Sequence, residues 1–143
     1  MINFELKYEN LIEREIHNNL IVTETKDLNI IESCINLFNS EIVWDKMFTI
    51  KDAEIRIRKG DIFFVGYYDN YLFGYCWLTK NKIFKIYNVF SKNIPINRIY
   101  GATDLLYFVI KNYTSGIIIS EVDEWNLKSI NVFKKLGFNQ KVW

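Results

Sequence analysis

With 143 residues, half of them apolar and 17% aromatic, the chain has enough hydrophobic material for one packed domain spanning residues 1–143, and this composition points to a folded chain. A formal charge of +1 at pH 7 gives no basic field of the kind nucleic-acid binding demands, so no nucleic-acid partner is expected. The longest uncharged apolar-rich stretches, such as Tyr71 to Leu78, fall far short of the ~20 residues that cross a bilayer, so no membrane partner is expected either.

The opening residues Met1 to Leu6 show no basic segment followed by an apolar run, and a cytoplasmic location is the expectation. Cys34 and Cys76 are far apart and belong to no CxxC or CxH pattern, and the only histidine is His17. No metal site is therefore expected, and the cysteines read as reduced, packed side chains. His17, among Glu13, Arg14, Glu15, Asn18 and Asn19, reads as a solvated surface residue.

Residues 1–19 carry no assigned element. Leu20 to Thr25 reads as a first strand. Asp27 is a plausible cap for a helix with Ile30, Ile31, Cys34, Ile35, Leu37 and Phe38 at helical spacing. A second helix is predicted over Thr49 to Lys59, although the alternation Ala53, Ile55, Ile57 also suits a strand; Gly60-Asp61 ends it. Ile62 to Tyr68 and Tyr71 to Leu78 form a predicted hairpin across Asp69-Asn70, residues that tolerate positive φ. Lys82 to Phe90 follows as a third strand of the meander. From Gly101 onward, Ala102, Leu105, Leu106, Val109, Ile110 and Tyr113 share a helical stripe. After Gly116, the run Ile117-Ile118-Ile119 suggests a central strand apolar on both faces. A last helix and a short strand from Asn139 complete the chain.

The end of the chain is the most specific part. A strand leads into Glu121-Val122, then Asn126-Leu127-Lys128-Ser129 opens a helix that Gly137-Phe138 closes. This resembles the second signature of the GNAT superfamily, the acetyl-CoA-dependent N-acyltransferases. The loop Arg98-Ile99-Tyr100-Gly101-Ala102-Thr103 resembles the first signature, in which small residues and a helix start receive a pyrophosphate. Two departures stand out: Thr103 replaces the second small residue, and Pro95-Ile96-Asn97 replaces the usual basic run. A third is Phe133, at the position the family usually gives to Tyr. The resemblance is strong over residues 61–138; before that, only the order of elements fits.

The resemblance implies an α+β GNAT fold, with a mixed, mostly antiparallel central sheet and helices on both faces. It implies acetyl-CoA as cosubstrate and direct attack by an acceptor amine in a ternary complex. The strand Tyr87 to Phe90 would part from its neighbour, so that Asn88, Val89 and Phe90 face the pantetheine arm and a backbone N–H near Val89 or Phe90 holds the oxyanion. Arg98, Tyr100, Gly101, Ala102 and Thr103 would seat the pyrophosphate, and Asn126, Ser129 and Phe133 would line the coenzyme. The elbow is similar to that of the ribosomal-protein N-terminal acetyltransferase branch, whose general base is a Glu at the position of Glu121. Asp123 and Glu124 are the alternatives. Phe133 has no proton for the departing thiolate, which leaves water, Tyr87 or Tyr100, or a catalytically weak module that binds CoA or a protein partner. Trp44, Met47 and Phe48 lie where the family keeps its acceptor loop. The acceptor would be a small-molecule or peptide amine. Aromatic residues of the meander that point outward are available for an acceptor pocket or a homodimer contact.

Overall fold

The computed structural model describes residues 1–41, 49–92 and 101–142. Their elements run β1 (Ile2–Lys7), a 3-10 turn (Tyr8–Asn10), β2 (Leu20–Thr25), α1 (Leu28–Glu41), α2 (Ile50–Arg58), β3 (Ile62–Tyr68), β4 (Tyr71–Lys80), β5 (Phe84–Ser91), α3 (Gly101–Tyr113), β6 (Ile117–Val122), α4 (Leu127–Leu136) and β7 (Asn139–Lys141). The strands form one sheet in the order β2-β3-β4-β5-β6-β1-β7. Every neighbouring pair is antiparallel except β5 with β6, which is parallel.

Local chemistry sets most of these boundaries. Asp69 and Asn70 take φ of 47° and 67°, the paired left-handed conformation of a two-residue hairpin that matches strand twist. Asp27 accepts a hydrogen bond from the Asn29 N–H (2.9 Å) and caps α1. Thr49 caps α2 by accepting from the Asp52 N–H (3.2 Å). In α2 the helical period wins over the strand-like alternation: Ala53 is buried, with Ile50 and Ile57 half-buried beside it, while Ile55 is exposed. Asn126 caps α4 through the Ser129 N–H, and Gly137 ends it at φ 102°.

Helices cover both faces. On one, α3 and α4 pack Leu105, Leu106, Val109, Ile110, Phe133 and Leu136 against Phe4, Leu6, Phe64 and Leu78 of the sheet. On the other, Ile31, Cys34, Ile35 and Phe38 of α1 and Ala53 of α2 meet Phe63, Val65, Tyr75 and Trp77.

Two expectations need correcting. The first nineteen residues are not featureless: β1 lies between β6 and β7, pairing Ile2 with Val122 and Phe4 with Ser120. Nor is β6 apolar on both faces. Ile118, Ser120 and Val122 are buried, while Ile117 and Glu121 are exposed and Ile119 is half-buried, because the face carrying Glu121 is not closed by a helix along its whole length.

Two irregularities shape the middle of the sheet. Between β4 and β5 the register slips: Trp77 faces Asn88 and Leu78 faces Ile86, so Tyr87 is an extra residue in β5. Such a bulge bends its strand and increases the twist. On its other side, β5 pairs with β6 at Phe84–Ile118, Lys85–Ile119 and Ile86–Ser120, and goes no further. The bend therefore falls immediately after the last shared position. At the far end of β5, Ser91 is wedged between two glycines. A Cβ on Gly74 would lie 2.3 Å from the Phe90 carbonyl oxygen, and one on Gly101 would lie 2.9 Å from Ser91 Oγ. The missing side chains let the start of α3 close on the end of β5.

Candidate active site

Past Ile86 and Ser120 the strands diverge around a cleft of about 620 Å³. Five pieces of chain wall it: Phe38 of α1, the second half of β5, the end of β6 with the elbow after it, the first turn of α3, and α4. The site residues expected on β5 (Asn88, Val89 and Phe90) line it, as do Gly101, Ala102 and Thr103 at the start of α3. Glu121, Asn126, Ser129 and Phe133 line it too. Arg98 and Tyr100 lie outside the described residues, and so do Pro95, Trp44, Met47 and Phe48.

On β5, beyond Ile86, the edge turned toward β6 has no strand partner among the described residues. Backbone N–H and C=O groups on such an edge need other partners. Asn88 is oriented from behind: the buried Tyr75 hydroxyl donates to its Oδ1. Burial also pushes the Tyr75 phenol well above its ordinary pKa, so it remains a donor. The Tyr87 ring lies under the Arg56 guanidinium, 3.7 Å from the ring centroid, with Trp77 edge-on at 4.8 Å. Arg56 is itself held by Asp61 (2.8 Å), which also accepts from Trp77 Nε1 (3.0 Å). The bulge residue that borders the cleft is thus fixed by α2 and β4.

Beside the point of divergence, Lys85 Nζ on the paired part of β5 and Glu121 Oε1 form an ion pair at 3.2 Å. Glu121 is partly exposed, and its position in β6 sets it on the face opposite Ile118, Ser120 and Val122. Asp123 also borders the cleft. Glu124 is not among the lining residues; its carboxylate is 3.7 Å from the Met1 amino group.

Thr103 and Phe133 are cleft residues only at their margins. Thr103 is 3% exposed. Phe133 is 2% exposed, stacked on Phe4 at 5.6 Å and edge-on to Phe138 at 4.9 Å. Sequence reasoning missed Ser91, Ser120, Trp125, Lys128 and Lys135, which also line the space. Lys128, Val132 and Lys135 are spaced i, i+4, i+7 on α4, a stripe that helical periodicity could have shown. Among the described residues, no cluster of three or more His, Cys, Asp or Glu side chains could hold a metal ion, and no helix is long and apolar enough to cross a membrane.

No protein-family model matches the chain, and no curated protein matches it. Solved structures do. One is a functionally unknown conserved protein from Staphylococcus epidermidis ATCC 12228, with a TM-score of 0.66 at 10% identity over 98% of this chain and 57% of that one. Another is an acetyltransferase of the GNAT family from Bacillus cereus ATCC 10987, with a TM-score of 0.62 at 19% identity over 86% and 84% of the two chains. A third is a predicted acetyltransferase with acetyl-CoA from Clostridium acetobutylicum, with a TM-score of 0.54 at 13% identity over 85% and 91%. The chain has the GNAT fold. The GNAT-fold chain spans 57% of the length of the Staphylococcus protein, so it corresponds to part of that molecule. The strands that diverge are β5 and β6, and Gly101 and Ala102 stand at the start of α3.

Proposed function

We propose that this chain is an N-acetyltransferase that moves an acetyl group from acetyl-CoA to a primary amine. The observation that carries the reading is the parting of β5 and β6 directly after Ile86 and Ser120 into a cleft lined by Gly101 to Thr103 and by Glu121, Asn126, Ser129 and Phe133. The donors there suit the cosubstrate. A free strand edge matches the amide-bearing pantetheine arm. A helix start with Gly101 and Ala102 matches a pyrophosphate, and Lys128 and Lys135 add positive charge on the α4 wall.

Acetyl-CoA supplies a thioester, an acyl group already activated toward attack. The acceptor must arrive as a neutral amine, and freeing a lysine-like ammonium at pH 7 costs roughly 4–5 kcal/mol. Glu121, or a water it orders, takes that proton. The amine nitrogen bonds to the carbonyl carbon while backbone N–H groups near Val89 and Phe90 stabilise the negative charge on oxygen. The carbon–sulfur bond then breaks, the new amide nitrogen gives up its extra proton to solvent, and the thiolate takes a proton from water or from Tyr87, because Phe133 carries none. The acceptor is an amine on a small molecule or a peptide, entering on the Glu121 face.

Phe133 favours a second reading, in which the cleft binds CoA or a protein partner without turnover. Calorimetric titration with acetyl-CoA, followed by free-thiol release across a panel of amines, separates the two. Binding with amine-dependent thiol release supports the enzyme. Binding without release from any amine supports the CoA-binding module, and no binding at millimolar acetyl-CoA removes both of these and leaves only the protein-partner module.

A further inference from the structure

The segment before β2 runs along α3 and is tied to it at three levels. The Tyr8 hydroxyl donates to the Lys111 carbonyl (2.8 Å) in the last turn. Tyr107, in the middle, donates its hydroxyl to Glu13 (2.8 Å). Arg14 Nε reaches Asp104 Oδ1 at 2.8 Å, and Asp104 belongs to the first turn. The Asp104 side chain is 6% exposed and that of Arg14 is 20%. An acidic side chain is thus buried one residue after Gly101, Ala102 and Thr103, the three α3 residues that line the cleft.

That placement poses an electrostatic problem. A helix start offers the equivalent of about +0.5 charge. A carboxylate of −1 in the same turn turns the local sum to about −0.5, which repels an anion. A guanidinium held against that carboxylate returns the sum to about +0.5. At burial this deep, screening by water and salt is weak. The field at the first turn of α3 is therefore more positive with Arg14 in place than without it.

We infer that Arg14 is a positioning residue for cosubstrate binding: by neutralising Asp104 beneath the first turn of α3, it keeps the cleft attractive to the pyrophosphate. The inference rests on the acetyl-CoA reading above. It assigns a role to the segment before β2, which contributes no residue to the cleft wall.

The test compares acetyl-CoA with S-acetylpantetheine, which carries the same thioester arm without pyrophosphate. Arg14→Met should weaken acetyl-CoA binding by roughly tenfold, the scale of one poorly screened charge, and leave S-acetylpantetheine unaffected. Arg14→Lys should retain affinity. Asp104→Asn alone should bind acetyl-CoA at least as tightly as wild type, and Arg14→Met/Asp104→Asn should regain most of the loss. Equal loss of both ligands in Arg14→Met, or no recovery in the double variant, overturns the inference by making the pair purely structural. If Arg14→Met does not fold, weaker acetyl-CoA binding by Asp104→Asn overturns it. Failure of wild type to bind acetyl-CoA overturns the cosubstrate reading itself, a result distinct from any of these.

Discussion

Ser120 Oγ donates to the Ile86 carbonyl at 3.1 Å, a side-chain bond across the last register position that β5 and β6 share. It stitches the strands at the point where they separate. Both partners are buried, so loss of the hydroxyl leaves a carbonyl short of a partner. Ser120→Ala is expected to destabilise the fold by about 1–3 kcal/mol. It should also weaken acetyl-CoA binding, because the apex of the cleft loses its fixed position. Chemical denaturation and calorimetry on the same variant measure the two effects, and unchanged affinity would show that the bulge at Tyr87 holds the strands apart unaided.

The glycines that flank Ser91 differ in what they meet, which ranks their substitutions. A Cβ at Gly74 runs into the Phe90 carbonyl oxygen, part of the sheet backbone; one at Gly101 runs into Ser91 Oγ, the end of a small side chain. Gly74→Ala should cost about 1–3 kcal/mol, as overpacking does, and Gly101→Ala should cost less. Gly101→Ala should instead lower affinity for acetyl-CoA by pushing α3 off β5, and Gly101→Ala/Ser91→Gly should restore it. Melting temperatures and binding constants for the three variants check the ranking.

Glu121 is a carboxylate on the cleft wall, ion-paired to Lys85 of β5. If it accepts the acceptor's proton, Glu121→Gln should reduce kcat by about 10²–10⁴ and leave acetyl-CoA affinity as in wild type. Asp123→Asn provides the control from the same wall. Wild-type turnover in Glu121→Gln with loss in Asp123→Asn would move the base two residues along the elbow.

The features readable in the sequence are those with local causes. Asp69-Asn70 announces its hairpin, Asn126 and Gly137 announce the ends of α4, and the apolar stripe from Ala102 to Tyr113 announces α3. The alternation Ile2, Phe4, Leu6 was also available as a strand signal, but the partners of β1 lie at the other end of the chain, so nothing nearby supported it. The divergence of β5 and β6 depends on Tyr87 becoming an unpaired extra residue. Neither Gly nor Pro marks that position, and the register of β4 decides it. The Arg14–Asp104 pair was likewise out of reach, since it exists only once the segment before β2 is laid along α3.

The two cysteines predict an alkaline limit to stability. Cys34 and Cys76 are free and wholly buried. Burial pushes the Cys34 thiol from 9.0 up to about 12 and raises that of Cys76 further. The folded state therefore holds both protons more tightly than the unfolded chain does. The resulting stability is complete below pH 9 and is lost as the pH rises toward 12. Denaturation midpoints should fall across that window, and less steeply in Cys34→Ala/Cys76→Ala once its lower baseline is subtracted. In native protein at pH 8, a thiol reagent should label both cysteines only at the rate of unfolding.

Phe133 joins core and cleft, so its substitutions should separate packing from chemistry. Phe133→Ala removes a ring stacked on Phe4 and edge-on to Phe138 and should cost about 3–5 kcal/mol. Phe133→Tyr keeps the ring, which is among the residues lining the cleft, and adds one oxygen. Its hydroxyl would stand where the GNAT resemblance places a proton donor for the leaving thiolate, and kcat for thiol release should rise while acetyl-CoA affinity stays constant. The gain should be larger in a Tyr87→Phe background, where no nearby phenol on β5 competes for the role. Equal gains in both backgrounds would assign the proton in the parent protein to water.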